Sequence, residues 1–511
     1  MAAAASPTSA AAPTNQELTN LTSLSNHASI LFATDEWFAT AENLLNDAPP
    51  TFVPDLFCEQ GKVMDGWETR RRRSAGHDWC IIQLCSGSSN DTGHLLDDRT
   101  YMLSHIELDT AYFTGNQAPR VSIEAMRVIR PSITNVEDAD DYLYNWIPGA
   151  TTRLARGPGG KGVRGMGQSP SAIARALQAC QSVARRLPNN NDNSNGDWIT
   201  ILPMTPLQPG YETSRYHTFE IMDEVKRQIE ELGGVTHLKL NYYPDGGVAR
   251  IKVFGHPCIH PRDEVGRVGL SSGISTKTSE TANSASGPAI HPHSSPNPPP
   301  SAQTQYPYIE LSSELHGGLG LACSNKHYGV PSNLLRPHPG KDMGDGWETA
   351  RHPNRPSIVV QDPITRLQDT HLKDWCVIKL GLGGASDSEG IARIIVDTRH
   401  FKGNFPESVT IDGCCAGSVN RVVSDDDVCK SAGIDDDSDN NGSIQWFPLV
   451  KRTHLTADAE HEFLRERGHI VNGQRGVTHV RISITPDGGI SRVRIYGSPA
   501  VPMRSDMRSH L

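Results

Sequence analysis

Nothing in the chain approaches the roughly eighteen consecutive apolar residues of a membrane-spanning helix, so no transmembrane segment is expected. Basic surplus is also missing: 48 Lys and Arg stand against 58 Asp and Glu, a formal net charge of −10. That balance excludes broad nucleic-acid or anionic-membrane binding, both of which need basic surface. The opening MAAAASPTSAAAPTNQ has neither a basic start nor a leucine-rich stretch, and reads as a disordered tail rather than a secretory signal. Cysteines are thin. None of the ten has C-x-x-C spacing or a histidine cluster beside it, so the pattern of a structural zinc site is absent. A cytoplasmic protein without disulfides is expected; the final SHL is too distant from a peroxisomal tripeptide to favour that compartment. Cys80 and Cys376, each within DWC in an apolar run, are expected as buried thiols. Nothing reads as a βαβ unit for a dinucleotide, and G-x-S-x-G and H-E-x-x-H do not occur. No cofactor and no metal ligand set is predicted, and dependence on a divalent metal is left open.

What is present is a repetition. DGWET occurs at Asp65–Thr69 and again at Asp345–Thr349. HDWCIIQL from His77 answers KDWCVIKL from Lys373, and IELDTAYFTGN from Ile106 answers IIVDTRHFKGN from Ile394. THLKLNYYPDGGVARIKVFG from Thr236 answers THVRISITPDGGISRVRIYG from Thr478. Order is kept throughout, as in an internal duplication of a whole domain. The offset between matched residues is 280 at Asp65/Asp345 and 288 at Asp109/Asp397 but only 242 at Pro244/Pro486, which leaves roughly 46 extra residues in the first copy between Ala125 and Thr236. They are expected as a surface insertion at about 139–197, with a helix-like stretch that Ser169 and Pro170 would start. The expected organisation is a tail over 1–29, a first domain over 30–258, a Ser/Pro-rich linker over 259–311, a second domain over 312–499 and a tail over 500–511.

Both copies read as β. In His479–Thr485 the residues Val480, Ile482 and Ile484 alternate with Arg481 and Ser483, the period of a strand. PDGG then supplies proline's fixed φ and two glycines, predicting a hairpin or a tight corner. One helix per copy is expected, over Phe219–Leu232 and over a shorter stretch near Ala457–Arg467, each stopped by glycine. Many short strands with minor helices predict an antiparallel sandwich.

The polar corners of these repeats are the candidate site. Trp67 is a wedge for the end of a sandwich, and Glu68 beside it is either a solvated acid or a carboxylate held near a cleft. The arginine run from Arg70 to Arg73 offers guanidinium forks for a small carboxylic acid. Asp109 and Asn116 end a strand and its turn, where they can cap the backbone or meet a ligand. His217 and His237 are candidates for acid–base work. Their second-copy counterparts are Trp347, Glu348, Arg351, Asp397, Asn404, His461 and His479.

Taken together, DGWETRRRR, GHDWCIIQL, IELDTAYFTGN and PDGGVARIKVFG, with their second editions, resemble the allantoicase family in its fungal form. The likeness spans both repeats. It implies an all-β fold of tandem, duplicated jelly-roll, galactose-binding-like β-sandwiches. It implies hydrolysis of allantoate to (S)-ureidoglycolate and urea in purine and allantoin degradation for nitrogen use, and homo-oligomers, hexamers among them. The substrate would be a small molecule, with no nucleic-acid or membrane partner. On this reading Arg70 or Arg73 clamps the substrate carboxylate, Glu68 and Asp109 accept from ureido N–H groups, Trp67 and Asn116 complete the binding surface, and His217 or His237 exchanges the proton. A carbohydrate-binding tandem module and another ureide enzyme, such as a ureidoglycolate lyase, are the alternatives.

Overall fold

The computed structural model describes residues 18–58, 60–85, 99–127, 198–258, 308–384, 390–416, 423–433 and 444–500. The expected insertion, most of the linker, the N-terminal stretch before residue 18 and the C-terminal tail beyond residue 500 lie outside the described residues.

Alternation along short β-prone runs produces two antiparallel sheets in each repeat. In the first, a four-stranded sheet runs β1 (Thr19–Asn20), β13 (Arg250–Pro257), β7 (Tyr101–Asp109) and β10 (Tyr216–Glu220). Its five-stranded companion runs β2 (Ser29–Ala33), β6 (Asp78–Gln83), β11 (His237–Tyr242), β8 (Arg120–Met126) and β9 (Ile199–Pro206). The second repeat has the same two orders. They are β14 (Ile309–Glu310), β25 (Arg492–Gly497), β19 (Ile391–Asp397) and β22 (Glu460–Leu464), and β15 (Leu319–Cys323), β18 (Asp374–Gly384), β23 (Val477–Thr485), β20 (Ser408–Cys414) and β21 (Phe447–His454). The duplication read in the sequence is therefore a duplication of topology.

Each repeat buries one apolar core shared by its two sheets. Ile82, Ile123 and Leu240 meet Ile106, Leu108 and Val253 in the first, and Ile378, Ile411 and Ile482 meet Ile394, Val396 and Val493 in the second. Each such side chain contributes about 1.5–3 kcal/mol by leaving water. Cys80 and Cys376 are fully buried in these cores. The two repeats, up to Cys258 and from Ile309, form one compact unit.

Small ladders hold the corners. β5 (Trp67–Glu68) pairs with β12 (Gly247–Val248), and β17 (Trp347–Glu348) lies between β16 (Tyr328–Gly329) and β24 (Gly489–Ile490). A separate hairpin joins β3 (Phe57–Cys58) to β4 (Gly61–Lys62). PDGG is a corner, not a hairpin. The strand before it, β11, pairs with β6 and β8, whereas the strands after it turn away, β12 to β5 and β13 into the other sheet.

The helix expectations are corrected. Helix α1 covers Asp223–Glu231, and the residues before it form β10, paired register by register with β7 from Tyr216↔Asp109 to Glu220↔His105. The stretch near Ala457–Arg467 is no helix at all: Glu460–Leu464 is β22 on the edge of β19. In so short a segment, apolar residues at Phe463 and Leu464 fit either period, and ladder bonds to a waiting sheet edge decide it. The described helix of the second repeat, α2, is Asp425–Ser431 with a Ser424/Asp427 capping box. The first strands also begin earlier than expected, at Thr19 and at Ile309, inside the stretches read as tail and linker.

Candidate active site between the two repeats

The DGWET corner shows how local alternation aims a side chain. Trp67 and Trp347 point inward and are fully buried, each donating its indole N–H to a backbone carbonyl, of Asp35 at 2.8 Å and of Asn325 at 3.0 Å. The next residue must face the other way. Glu68 and Glu348 therefore leave their own cores and point toward the opposite repeat. The glycine before the tryptophan allows the close approach: a Cβ on Gly66 would sit 2.5 Å from the Val248 carbonyl oxygen, and one on Gly346 would sit 2.4 Å from that of Ile490.

The two glutamates converge on one cavity of about 280 Å³, the size for a small polar metabolite rather than a drug-sized ligand. Asn116 Nδ2 donates to Glu68 Oε1 at 2.9 Å, and Asn404 Nδ2 donates to Glu348 Oε1 at 2.8 Å. Arg71 and Arg351 line the same space. Each arginine is held by the repeat to which it does not belong. Arg71 reaches Glu348 at 2.7 Å, Asp487 at 3.0 Å and the Thr349 carbonyl at 2.8 Å. Arg351 donates to the carbonyls of Asn116 and Thr69, both at 2.9 Å, and lies 3.8 Å from Glu68. Its Nε faces Asp245 at 3.3 Å, an ion pair without hydrogen-bond alignment.

Behind the cavity, the PDGG aspartates tie the repeats together. Asp487 receives Arg71 and Arg73 of the first repeat, and Asp245 receives Arg351 and Arg355 of the second. Each carboxylate also takes a matched backbone N–H on Oδ2, from Arg72 for Asp245 and from His352 for Asp487, both at 2.8 Å. Burial alone would raise both carboxyl pKa values. The surrounding guanidinium groups outweigh it, and both are held below the usual carboxylate range. Glu68 goes the other way: burial raises its pKa, against the pull of Arg351, the Asn116 hydrogen bond and Arg71.

The cavity also holds a histidine that the repeat symmetry does not duplicate. His327 lies at the cavity wall, its backbone N–H donating to the Glu348 carbonyl at 2.8 Å and its ring packed edge-on to Tyr328. Desolvation by the surrounding walls lowers its pKa; Glu348 pulls upward, and Arg71 and Arg351 push it further down. The imidazole is therefore neutral near pH 7 and able to accept a proton. Among the described residues, no group of three or more His, Cys, Asp or Glu is arranged to hold a metal ion.

The structure brings together Glu68, Asn116, Glu348, Arg351 and Asn404, and it places the other candidates elsewhere. Trp67 and Trp347 are core anchors. Arg70 pairs with Asp35 at 2.6 Å and stacks on Trp37. Arg73 is spent on the Phe405 carbonyl and on Asp487. Asp109 accepts from its own turn at Ala111 N and from Arg215, and Asp397 accepts from Arg399 N. Asp109 and His217 share a different cavity, on the four-stranded sheet.

The histidines are also placed away from the pocket. His217 Nε2 accepts from Gln208 N–H at 2.9 Å while Nδ1 faces the Arg215 carbonyl at 3.0 Å. His461 repeats this with Thr456 N–H at 2.8 Å and the Val396 carbonyl at 3.2 Å. Such bonding fixes one neutral tautomer, and burial lowers both pKa values. His237 and His479 touch Thr236 and Thr478 at the far ends of β11 and β23, roughly 15–20 Å along the strand from the PDGG corners. His479 also contacts Asp425.

Sequence reasoning missed Arg71 and His327. Arg71 did have a signal: aligning DGWETRRRR with DGWETARHP leaves one arginine common to both, Arg71 over Arg351. His327 had none, because Trp37 stands at its matched position.

A duplicated two-sheet β protein whose halves jointly build a carboxylate–amide–guanidinium pocket is the class that this geometry defines. The Allantoicase repeat profile matches residues 19–148, 167–258 and 309–500, and the chain belongs to the allantoicase family. It is 28% identical to a probable allantoicase of Photobacterium profundum over 94% of this chain and 97% of that one. It is 29% identical to one of Rhizobium meliloti, over 94% of each. The crystal structure of allantoicase from Saccharomyces cerevisiae is similar at 25% identity, covering 94% of this chain and 93% of that one, with a TM-score of 0.27.

Proposed function

We propose that the cavity between the repeats is where allantoate is bound and hydrolysed to (S)-ureidoglycolate and urea. Membership of the family makes the chain a hydrolase of allantoate's carbon–nitrogen bond, acting in purine and allantoin degradation. The observation that carries the placement is the convergence of two matched Glu–Asn pairs and two cross-supplied arginines on one small cavity. Allantoate is one carbon bearing a carboxylate and two ureido groups. Its carboxylate suits the positive charge of Arg71, Arg351 and the Lys62 ammonium at the cavity wall. Its ureido N–H groups suit the acceptor oxygens of Glu68 and Glu348.

In the reaction, a water oxygen bonds to the central carbon, the bond from that carbon to one ureido nitrogen breaks, and the departing nitrogen takes a proton to leave as urea. A neutral imidazole at His327 can take the water's proton and return it to the leaving nitrogen. Asp109, His217, His237 and their counterparts are read as structural supports.

Glu68→Gln and Glu348→Gln, assayed by urea release, are each expected to lower kcat/KM by about 10–100-fold, the loss of one charged hydrogen-bonding acceptor. Native turnover in both variants would remove the cavity from consideration. The same reading includes jelly-roll wrapping of each sandwich, a cytoplasmic location and self-association into a homo-oligomer, the last measurable by light scattering on the eluting protein.

A further inference from the structure

We propose that the cavity is a two-seat cradle for allantoate, one ureido arm on Glu68–Asn116 and the other on Glu348–Asn404, with His327 selecting the arm on the Glu68 side as the one that departs. The proposal rests on the reading of this cavity as the allantoate site. Allantoate's two ureido arms are chemically identical, and exchanging them gives the mirror image of the same molecule. A ligand of that kind calls for two equal sets of partners. The repeats supply matched ones: the Asn-to-Glu contacts differ by 0.1 Å, at 2.9 and 2.8 Å, and an arginine from the opposite repeat stands by each, Arg71 2.7 Å from Glu348 and Arg351 3.8 Å from Glu68.

Equal seats bind both arms but cannot choose between them. Release of one hand of ureidoglycolate requires a group present at one seat alone. The loops that carry the two asparagines show where that difference lies. Beside Asn116, a Cβ on Gly115 would lie 3.1 Å from Cε1 of His327. Beside Asn404, a Cβ on the matched Gly403 would meet the Phe38 ring at 2.7 Å and the Arg70 stem at 2.8 Å. Met343 Sδ also faces Asn404 Nδ2 at 3.5 Å. The asparagine loop of the first seat is thus flanked by the His327 imidazole, whose main chain is held by the Glu348 carbonyl, and that of the second by a phenyl ring and a thioether. Of these three flanking groups only the imidazole can move a proton to a departing nitrogen, so the arm resting on Glu68 is cut and the arm resting on Glu348 stays with the product.

The test uses the full chain and N-carbamoylglycine, which keeps the carboxylate and a single ureido arm. With two equivalent seats this ligand has two ways to bind. Glu68→Gln or Glu348→Gln alone is then expected to weaken its inhibition by about twofold, the statistical loss of one seat, and the double variant by more than about tenfold. His327→Asn is expected to cut kcat for allantoate by about 10²–10⁴-fold, with KM and N-carbamoylglycine inhibition within a few-fold of native. Its residual ureidoglycolate, resolved by chiral chromatography, is expected to contain both hands where the native enzyme gives one. A single glutamate carrying all the N-carbamoylglycine affinity, or native rate and a single product hand in His327→Asn, overturns the cradle. Failure of the native chain to release urea from allantoate would instead overturn the functional reading beneath it.

Discussion

Four arginines in a row, Arg70 to Arg73, do four different things. Arg70 stays near solvent with Asp35, Arg71 enters the cavity, Arg72 pairs with Asp78 at 2.7 Å, and Arg73 anchors to Asp487. Identity alone gives all four the same chemistry; backbone direction and the neighbouring repeat separate them. Arg70→Ala is therefore expected to cost no more than about 1 kcal/mol, as for a partly exposed ion pair, with urea release near native. Arg71→Ala leaves Asp487 and Glu348 short of a buried partner, at about 3–5 kcal/mol, and lowers activity as well. Chemical denaturation and the urea assay together check the contrast. His217 gives the complementary case. Its ring bonds only backbone, so His217→Ala should cost about 1–2 kcal/mol and leave kcat unchanged once the protein is folded; a pH–rate profile altered by this substitution would contradict that.

At the scale of elements, alternation made most strands legible, and the WE dipeptide carries that logic into the site: the tryptophan goes to the core and the glutamate to the cavity. The late helices were misplaced because ladder partners for Tyr216–Glu220 and Glu460–Leu464 come from strands more than sixty residues away in sequence, and no local window contains them. The PDGG corners were legible as turns, yet their glycines also make room for a ring. A Cβ on Gly247 would lie 2.1 Å from Phe113, and one on Gly489 would lie 2.0 Å from Phe401. Gly247→Ala and Gly489→Ala are each expected to destabilise the fold by about 1–3 kcal/mol through overpacking, measurable by urea denaturation. Because β12 and β24 pair directly with Glu68 and Glu348, KM for allantoate should rise in both.

For the whole molecule, comparing the copies with each other revealed two domains but not how they face one another, since matched residues carry no record of which surfaces meet. That facing produces the site. Its electrostatic core is Asp245 and Asp487, whose folded pKa values lie below the ordinary value of about 4, burial being outweighed by the arginines around them. A depressed carboxylate contributes stability that is fully present above its unfolded pKa and is lost as pH falls through the folded value. The stability gap between the native protein and Asp487→Asn should therefore be largest above about pH 4, on the order of 3–5 kcal/mol, and shrink steadily in more acidic solution. A gap that grows on acidification would show that the sign is wrong. Calorimetry should also find one unfolding transition for both repeats in the native protein.

Arginines that serve only the opposite half have an implication for descent. A chain with a single repeat could have completed this pocket by pairing with an identical chain across a twofold axis, every contact made in duplicate. Fusing the two into one polypeptide replaces an encounter at cellular dilution with a permanent tether. It also releases the halves from identity, which no symmetric dimer can escape. An imidazole at His327 where the first repeat carries an indole at Trp37 is the kind of difference that only a fused ancestor could acquire.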